Sequence, residues 1–375
     1  MGNKALIIGA GGSGRGFIAR LLSMDGCHID FMDCRQELVH EMNVRGSYTI
    51  FVGEHRTPYT VSGYRAVHAQ DPMALELAAQ ADYIFVCVGL QNNRALAPFF
   101  LELAKVKPEA KIIVCENGLE PRRELREALA LTPGAGMKIT QGVIFCTSIE
   151  EKKGELSILS QHYDSLPYDV GEALFELPFE HFKPVDDFAR LMRQKIFTYN
   201  CISACIAYLG YLKGYTDYGE AARDEDVFAM CQRLRESLDQ VVALELGIDP
   251  AQQTAFSQGA MDKFTSRAIS DTILKNARSV TRKISPDERL MGPLALYLRF
   301  GQAPRVLCLI IAAALIYLER EEALIWNGQT YRTPAELFKA VNPHAPEAIE
   351  KAVSCAYMHL RGGMGWNDVL AQMQL

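Results

Sequence analysis

A short apolar run, Lys4–Ile8, opens directly into Gly9-Ala10-Gly11-Gly12-Ser13-Gly14 and then into a helix-like segment over 15–22. Few loops constrain a fold so tightly. Gly9 permits the sharp turn out of a strand, Gly11 lets the backbone approach a pyrophosphate, and Gly14 lets the following helix pack close to the sheet. Gly12 and Ser13 complete the loop. The helix N-terminus then presents free N–H groups and the positive end of its dipole to phosphate. A second apolar stretch over 28–32 ends on Asp33, at the distance where a carboxylate accepts hydrogen bonds from a ribose diol and repels a 2′-phosphate. These residues predict a Rossmann-type dinucleotide site with NAD preferred over NADP. Arg35 pulls the other way, since a guanidinium two residues on can meet a 2′-phosphate.

The first half of the chain alternates short apolar runs with helical patterns, as a parallel sheet requires. Candidate strands lie at 5–9, 29–33, 83–88, 112–116 and 142–146. Two stretches depart from the alternation. Residues 48–61 alternate like an extra hairpin, and 154–170 hold further strands with a turn at Leu166-Pro167. From about Val185 onward helical periodicity dominates, with Pro250, Pro286 and Pro334 at expected helix starts. The expected architecture is an α/β, doubly wound Rossmann-type domain over 1–185 followed by an all-α domain over 186–375.

At 375 residues the chain is long enough for two cores. Its net charge of −6 argues against a nucleic-acid partner, which would want a basic face. The ten cysteines are scattered without a CxxC pair, which predicts reduced thiols in a cytoplasmic protein. The longest apolar run, 306–318, is too short to span a bilayer and reads as a buried helix. The eight histidines show no metal-ligand spacing, so no metal is expected.

Four places carry polar groups suited to chemistry. Val88 and Gly89 follow a strand and would line the cofactor crevice. Asn117 ends the next strand in Cys115-Glu116-Asn117-Gly118, where an amide could hold a substrate oxygen or simply make a turn before glycine. Lys195, Asn200 and Ser203 fall within an arc of roughly 140° on a helix, among Ile196, Phe197, Tyr199, Ile202 and Ile206. A lysine in such company either snorkels to the surface or is buried, and burial would push its pKa down and suit it to general-base work. Last, Arg278, Arg282, Lys283 and Arg289 form a basic cluster. It is read either as a phosphate clamp for the substrate or as a face salt-bridged to Asp287 and Glu288.

Several blocks occur in order along most of the chain: Gly9-Ala10-Gly11, Gly14-Arg15-Gly16-Phe17-Ile18, Val61-Ser62-Gly63, Val88-Gly89, Cys115-Glu116-Asn117, Lys195 with Phe197-Thr198, Asn200, Ala207-Tyr208-Leu209-Gly210, Arg282-Lys283 and Arg289-Leu290. In these the chain resembles the polyol-specific long-chain dehydrogenase family. The resemblance implies a metal-independent enzyme that moves hydride between NAD and a secondary alcohol of a small polyol or sugar phosphate. It implies Lys195 as general base, with Asn200 and Asn117 holding the reacting oxygen. Where the family has a histidine three residues after Asn200, this chain has Ser203, which can hydrogen-bond but carries no proton at neutral pH. His162 in the inserted segment is one candidate to replace it. The family's Asp-Arg segment after the next strand corresponds roughly to 147–152 here and is altered, so its supporting carboxylate is Glu150 or absent. The expected substrate is a hexitol phosphate. A hexuronate is the alternative within the family, and a non-catalytic NAD(H)-binding sensor or scaffold is the alternative outside it.

Overall fold

The computed structural model describes residues 2–375 except 117, 119, 131–135, 153, 172–174 and 269–270. The chain divides into two compact units, Met1–Met192 and Arg193–Leu375, the division falling inside the helix Phe188–Lys195.

The first unit contains twelve strands among its described residues: β1 (Lys4–Ile8), β2 (His28–Asp33), β3 (Ser47–Val52), β4 (Thr57–Ser62), β5 (Arg65–His68), β6 (Tyr83–Val86), β7 (Lys111–Cys115), β8 (Lys138–Gly142), β9 (Ser148–Glu150), β10 (Ile158–Ser160), β11 (Leu166–Asp169) and β12 (Phe182–Val185). Eight form one sheet in the order β12-β11-β8-β7-β6-β1-β2-β5. From β5 to β8 all neighbours are parallel. The central strands are buried on both faces, which is why they read as continuous apolar runs such as Tyr83–Val86. The glycine loop leaves the C-terminal end of β1, in the middle of this sheet.

The two stretches that break the alternation turn out to be one structure. β3 and β4 form the expected hairpin, β10 adds to β3 in parallel, and β9 adds to β10, giving a four-stranded sheet β4-β3-β10-β9. Two sequence expectations are corrected here. The strand placed at 142–146 lies at 138–142 instead. Val143, Ile144 and Cys146 are buried because the chain crosses there toward β9, so their apolarity reports cover rather than a ladder. The turn at Leu166-Pro167 is the start of β11. Pro167 is tolerated because β8 pairs with β11 only through Tyr168 and Gly142, so no donor is asked of it, and its carbonyl accepts from the Val143 N–H at 2.9 Å.

The second unit is built around two buried helices, Cys201–Leu212 and Arg305–Glu321. The apolar run 306–318 is the second of these, and no helix among the described residues is long and apolar enough to cross a membrane. Asp224 caps Glu225–Leu246 by accepting from the Asp226 and Val227 N–H groups, and Gly247 closes that helix in the left-handed conformation. Asp249 and Pro250 start Pro250–Thr265, and Pro334 starts Pro334–Val341. Pro286, by contrast, sits in a turn after the short helix Val280–Lys283, so no helix runs through the basic cluster. The unit is not wholly helical, since Ile325–Trp326 and Gln329–Thr330 pair as a small ribbon.

Candidate active site

In the first unit the segment after the glycine loop begins as a π-helical turn, Gly14–Ile18, before continuing as the helix Ala19–Met24. Four of its glycines are dictated by packing. A Cβ on Gly9 would lie 2.4 Å from the Cys87 carbonyl oxygen, and one on Gly14 would lie 2.0 Å from the Gly9 oxygen. A Cβ on Gly12 would lie 2.1 Å from the Ser148 oxygen, and one on Gly16 would lie 2.4 Å from the Ile158 side chain. Gly11 differs, because among the described residues nothing stands within 4 Å of its Cβ position. The loop therefore packs tightly on one side and leaves open space at the residue where a pyrophosphate would approach.

Arg15, 0% exposed, fixes this loop from behind. Its guanidinium donates to the Ala10 carbonyl (2.5 Å), the Leu156 carbonyl (2.7 Å) and Glu150 Oε1 (2.9 Å). Glu150 also accepts from Arg35 at 3.1 Å. The carboxylate matched to the family's Asp-Arg segment is thus bound to Arg15 of the glycine loop. Asp33 accepts from the Ala10 N–H (2.8 Å), the Arg35 N–H (2.9 Å) and both sides of the Arg35 guanidinium (3.1 and 3.2 Å). Burial alone would raise its pKa, but the bonds from Arg35 and Ala10 outweigh it and hold the carboxyl below its ordinary value. Gly89, at φ +90°, turns the chain past the end of β6, and its N–H donates to Glu116 at 2.5 Å. Burial pushes the Glu116 carboxyl up to about 7 against the bonds it accepts from Gly89 and Val88. That link was not foreseen from the sequence, where Glu116 has no special spacing. Asn117 lies outside the described residues. His162 is exposed and pairs with Asp164 at 3.3 Å.

In the second unit Lys195 ends the helix Phe188–Lys195, whose buried positions Phe188, Met192 and Lys195 follow a helical stripe. The lysine occupies a core position, 4% exposed. A π-helical turn, Ile196–Asn200, follows it. Its i→i+5 pitch brings residues five apart onto one face, so Lys195 and Asn200 come closer in angle than a regular helix would allow. Three residues of the turn are braced. Gly292 leaves room for the Phe197 ring, since a Cβ there would stand 2.4 Å from it. Thr198 Oγ1 accepts from Gln253 Nε2 at 3.0 Å, and Tyr199 stacks edge-on against Phe256 and Phe264. Gln253 also donates to Asp239 (2.9 Å), and Asp239 accepts from Ser257 (2.5 Å), all of it buried.

Between Lys195 and Gly210 only Asn200 and Ser203 escape full burial. They lie one helical turn apart. Burial drives the Lys195 pKa well below that of an ordinary lysine, and the positive charges of Lys263 and Arg289 push the same way. Lys263 was missed in the sequence because it sits on a different helix with no neighbouring signature.

The basic cluster does not assemble as one clamp. Arg282 and Arg289 both bind Glu288, each at 3.1 Å. Arg278 is exposed at the end of Ile273–Ala277. Lys283 turns inward, donates to the Asn276 carbonyl and stands 5.5 Å above the Tyr208 ring. Burial, with Arg289 and Arg282, pushes its pKa down to about 6. Arg289 is the member of the cluster whose charge reaches Lys195.

Similarity to other proteins identifies the family. The mannitol dehydrogenase Rossmann domain profile matches residues 3–150, and the mannitol dehydrogenase C-terminal domain profile matches 187–355. A mannitol-1-phosphate 5-dehydrogenase of Brevibacillus brevis is 31% identical over 85% of this chain and 87% of its own length. That of Caldanaerobacter subterraneus is 26% identical over 90% and 92%. In fold the chain is similar to mannitol 2-dehydrogenase of Pseudomonas fluorescens, solved as a ternary complex with NAD and D-mannitol. The TM-score is 0.77 at 17% identity, covering 99% of this chain and 94% of that one. A D-sorbitol dehydrogenase gives a TM-score of 0.70 at 13% identity, covering 99% and 92%. The chain belongs to the mannitol dehydrogenase family and is a polyol dehydrogenase.

Proposed function

We propose that this enzyme transfers hydride between NAD and a secondary alcohol of a hexitol phosphate, interconverting mannitol 1-phosphate and fructose 6-phosphate. The observation that carries the chemistry is Lys195, buried at the head of a π-helical turn with Asn200 on the same face and two further cations depressing its pKa. The phosphorylated substrate is supported by the relatives of Brevibacillus and Caldanaerobacter named for that reaction.

The residues present fit the dinucleotide. Gly11 leaves an open approach beside the start of the Gly14–Ile18 turn, and the Asp33 carboxylate stands ionised at the end of β2. NAD supplies the hydride acceptor when bound. The protein's part is proton handling and charge stabilisation. Neutral Lys195 accepts the hydroxyl proton at Nζ, which a lysine of ordinary pKa would be too protonated to do. The Asn200 amide donates to the oxygen as negative charge develops on it, and Asn117 is assigned the same role. Arg289 and Arg282 are the cations suited to a substrate phosphate, being only partly engaged by Glu288.

The test follows NADH absorbance with fructose 6-phosphate, free fructose, fructuronate and tagaturonate, using wild type and Lys195→Ala. Turnover of fructose 6-phosphate, abolished in the variant, is the expected result. Turnover of a hexuronate alone would move the enzyme to a sister activity, and undiminished Lys195→Ala activity would remove the lysine from its role.

A further inference from the structure

Ser203 is one of two part-exposed residues in an otherwise buried stretch of helix, and the structure shows what holds it. Tyr218, on the neighbouring helix Tyr218–Arg223, places its hydroxyl 2.9 Å from Ser203 Oγ. A phenol is a stronger acid than an aliphatic alcohol, so Tyr218 is the donor and Ser203 the acceptor in this pair. Burial pushes the Tyr218 pKa well above its ordinary value, which keeps the phenol protonated and donating at any working pH.

A serine inside a helix commonly turns its hydroxyl back to the carbonyl four residues earlier. Among the described residues Ser203 makes no such bond, and Tyr218 is its hydrogen-bond partner. A hydroxyl has one proton and two lone pairs. With Tyr218 on a lone pair, the Ser203 proton remains available for donation from a part-exposed position one helical turn from Asn200.

The phenol is itself held firmly. Its ring packs edge-on against Phe264 with centroids 5.8 Å apart, and Phe264 in turn contacts Tyr199 of the π-helical turn. Its backbone N–H donates to the Asp271 carbonyl at 2.8 Å, and the adjoining Asp217 bridges to Thr272. Tyr218 thus stands at a fixed distance from the turn that carries Lys195 and Asn200.

We propose that Tyr218 is a positioning residue that orients the Ser203 hydroxyl as a hydrogen-bond donor to the reacting oxygen of the bound polyol. This rests on the dehydrogenase reading above and adds a donor to it. Lys195 takes the proton, Asn200 and Ser203 donate to the oxygen from one helix face, and Tyr218 sets the second donor without touching substrate. The arrangement supplies neutral donation where a histidine would add a titrating group, so the donor itself is insensitive to pH.

A double-mutant cycle on the full chain tests the coupling. Ser203→Ala is expected to lower kcat by about 10², and Tyr218→Phe by about three- to tenfold, with NADH affinity and melting temperature close to wild type. In the Ser203→Ala background, Tyr218→Phe is expected to cost nothing further, because the hydroxyl it orients is gone. Ser203→Cys, of similar size and a weak donor, serves where the alanine variant folds poorly, and is expected to lose most of the same kcat. Equal loss from Tyr218→Phe in both backgrounds would overturn the proposal, as would full activity in Tyr218→Phe or a loss that merely tracks melting temperature. An additive cycle in an enzyme that still needs Lys195 would sink this inference alone. A wild type that turns over no polyol or ketose would sink it together with the dehydrogenase reading.

Discussion

Each unit of this chain buries one basic side chain beside a π-helical turn, and the two could hardly be treated more differently. Arg15 lies inside Gly14–Ile18, surrounded by acceptors: two carbonyl oxygens and the Glu150 carboxylate. Lys195 precedes Ile196–Asn200 and faces the positive fields of Lys263 and Arg289. Burial lowers the pKa of both. For the guanidinium, which starts far above neutrality and has its charge matched, the outcome is a permanent cation used as a strut. For the ammonium, burial lowers the pKa most and Lys263 and Arg289 add to it, so the outcome is a group that gives up its proton more readily. Burial is the largest cause in both groups; it leaves a guanidinium charged and brings an ammonium within reach of deprotonation because the two start from different intrinsic pKa values.

The sharpest way to break this contrast is Lys195→Arg, which keeps a cation of similar length that cannot deprotonate. Turnover should fall by about 10²–10⁴ with the fold intact by circular dichroism; a variant retaining wild-type kcat would show that no deprotonation is needed. The mirror experiment is Arg15→Met. It strands two buried carbonyls while Glu150 keeps Arg35, and should cost about 1–3 kcal/mol of stability per stranded carbonyl in urea unfolding. Loss of activity without loss of stability would make Arg15 a ligand contact instead of a strut.

A smaller effect is expected beneath the second turn. Gln253→Leu removes the donor shared by Thr198 and Asp239 and should destabilise by about 1–3 kcal/mol. Because the turn carries Asn200, kcat should fall more than KM rises; unchanged kcat would separate the brace from the chemistry. The finest test concerns pH. Alcohol oxidation requires neutral Lys195, so its rate falls as pH drops through the depressed lysine pKa. Lys263→Met removes a like charge, makes the ammonium less unfavourable, and should move that acidic limb to higher pH. A shift to lower pH, or none, would mean the two charges do not communicate.

Much of the first unit was legible because its signals are local. Gly9 and Gly14 sit where a turn and a packed helix each demand glycine, and the apolar strands lie in register with them. What escaped was anything set by pairing across distance. The small sheet joins 47–62 to 148–160, and no property of either segment announces the other. Glu150 likewise was reached only through its family segment, and nothing local foretold that its partners are Arg15 and Arg35. In the second unit Lys195, Asn200 and Ser203 were identified as one polar face, yet the π-helical turn that tightens it was not, because an added residue per turn leaves no mark in residue types. The four basic residues near 280 were grouped by proximity in sequence. The turn at Pro286 and the competing Glu288 sort them by direction instead.

The fit between Gly12, Gly16 and the small sheet bears on how this enzyme can be recombined. Dinucleotide loops are often regarded as exchangeable cassettes. Here Ser148 and Ile158 occupy the room that side chains at Gly12 and Gly16 would need, so the loop and a segment more than a hundred positions downstream form a single inherited piece. A chimaera joined anywhere between Asp33 and Ser148 would set one parent's loop against the other parent's strands. Crossovers placed after Ser160 keep the two together.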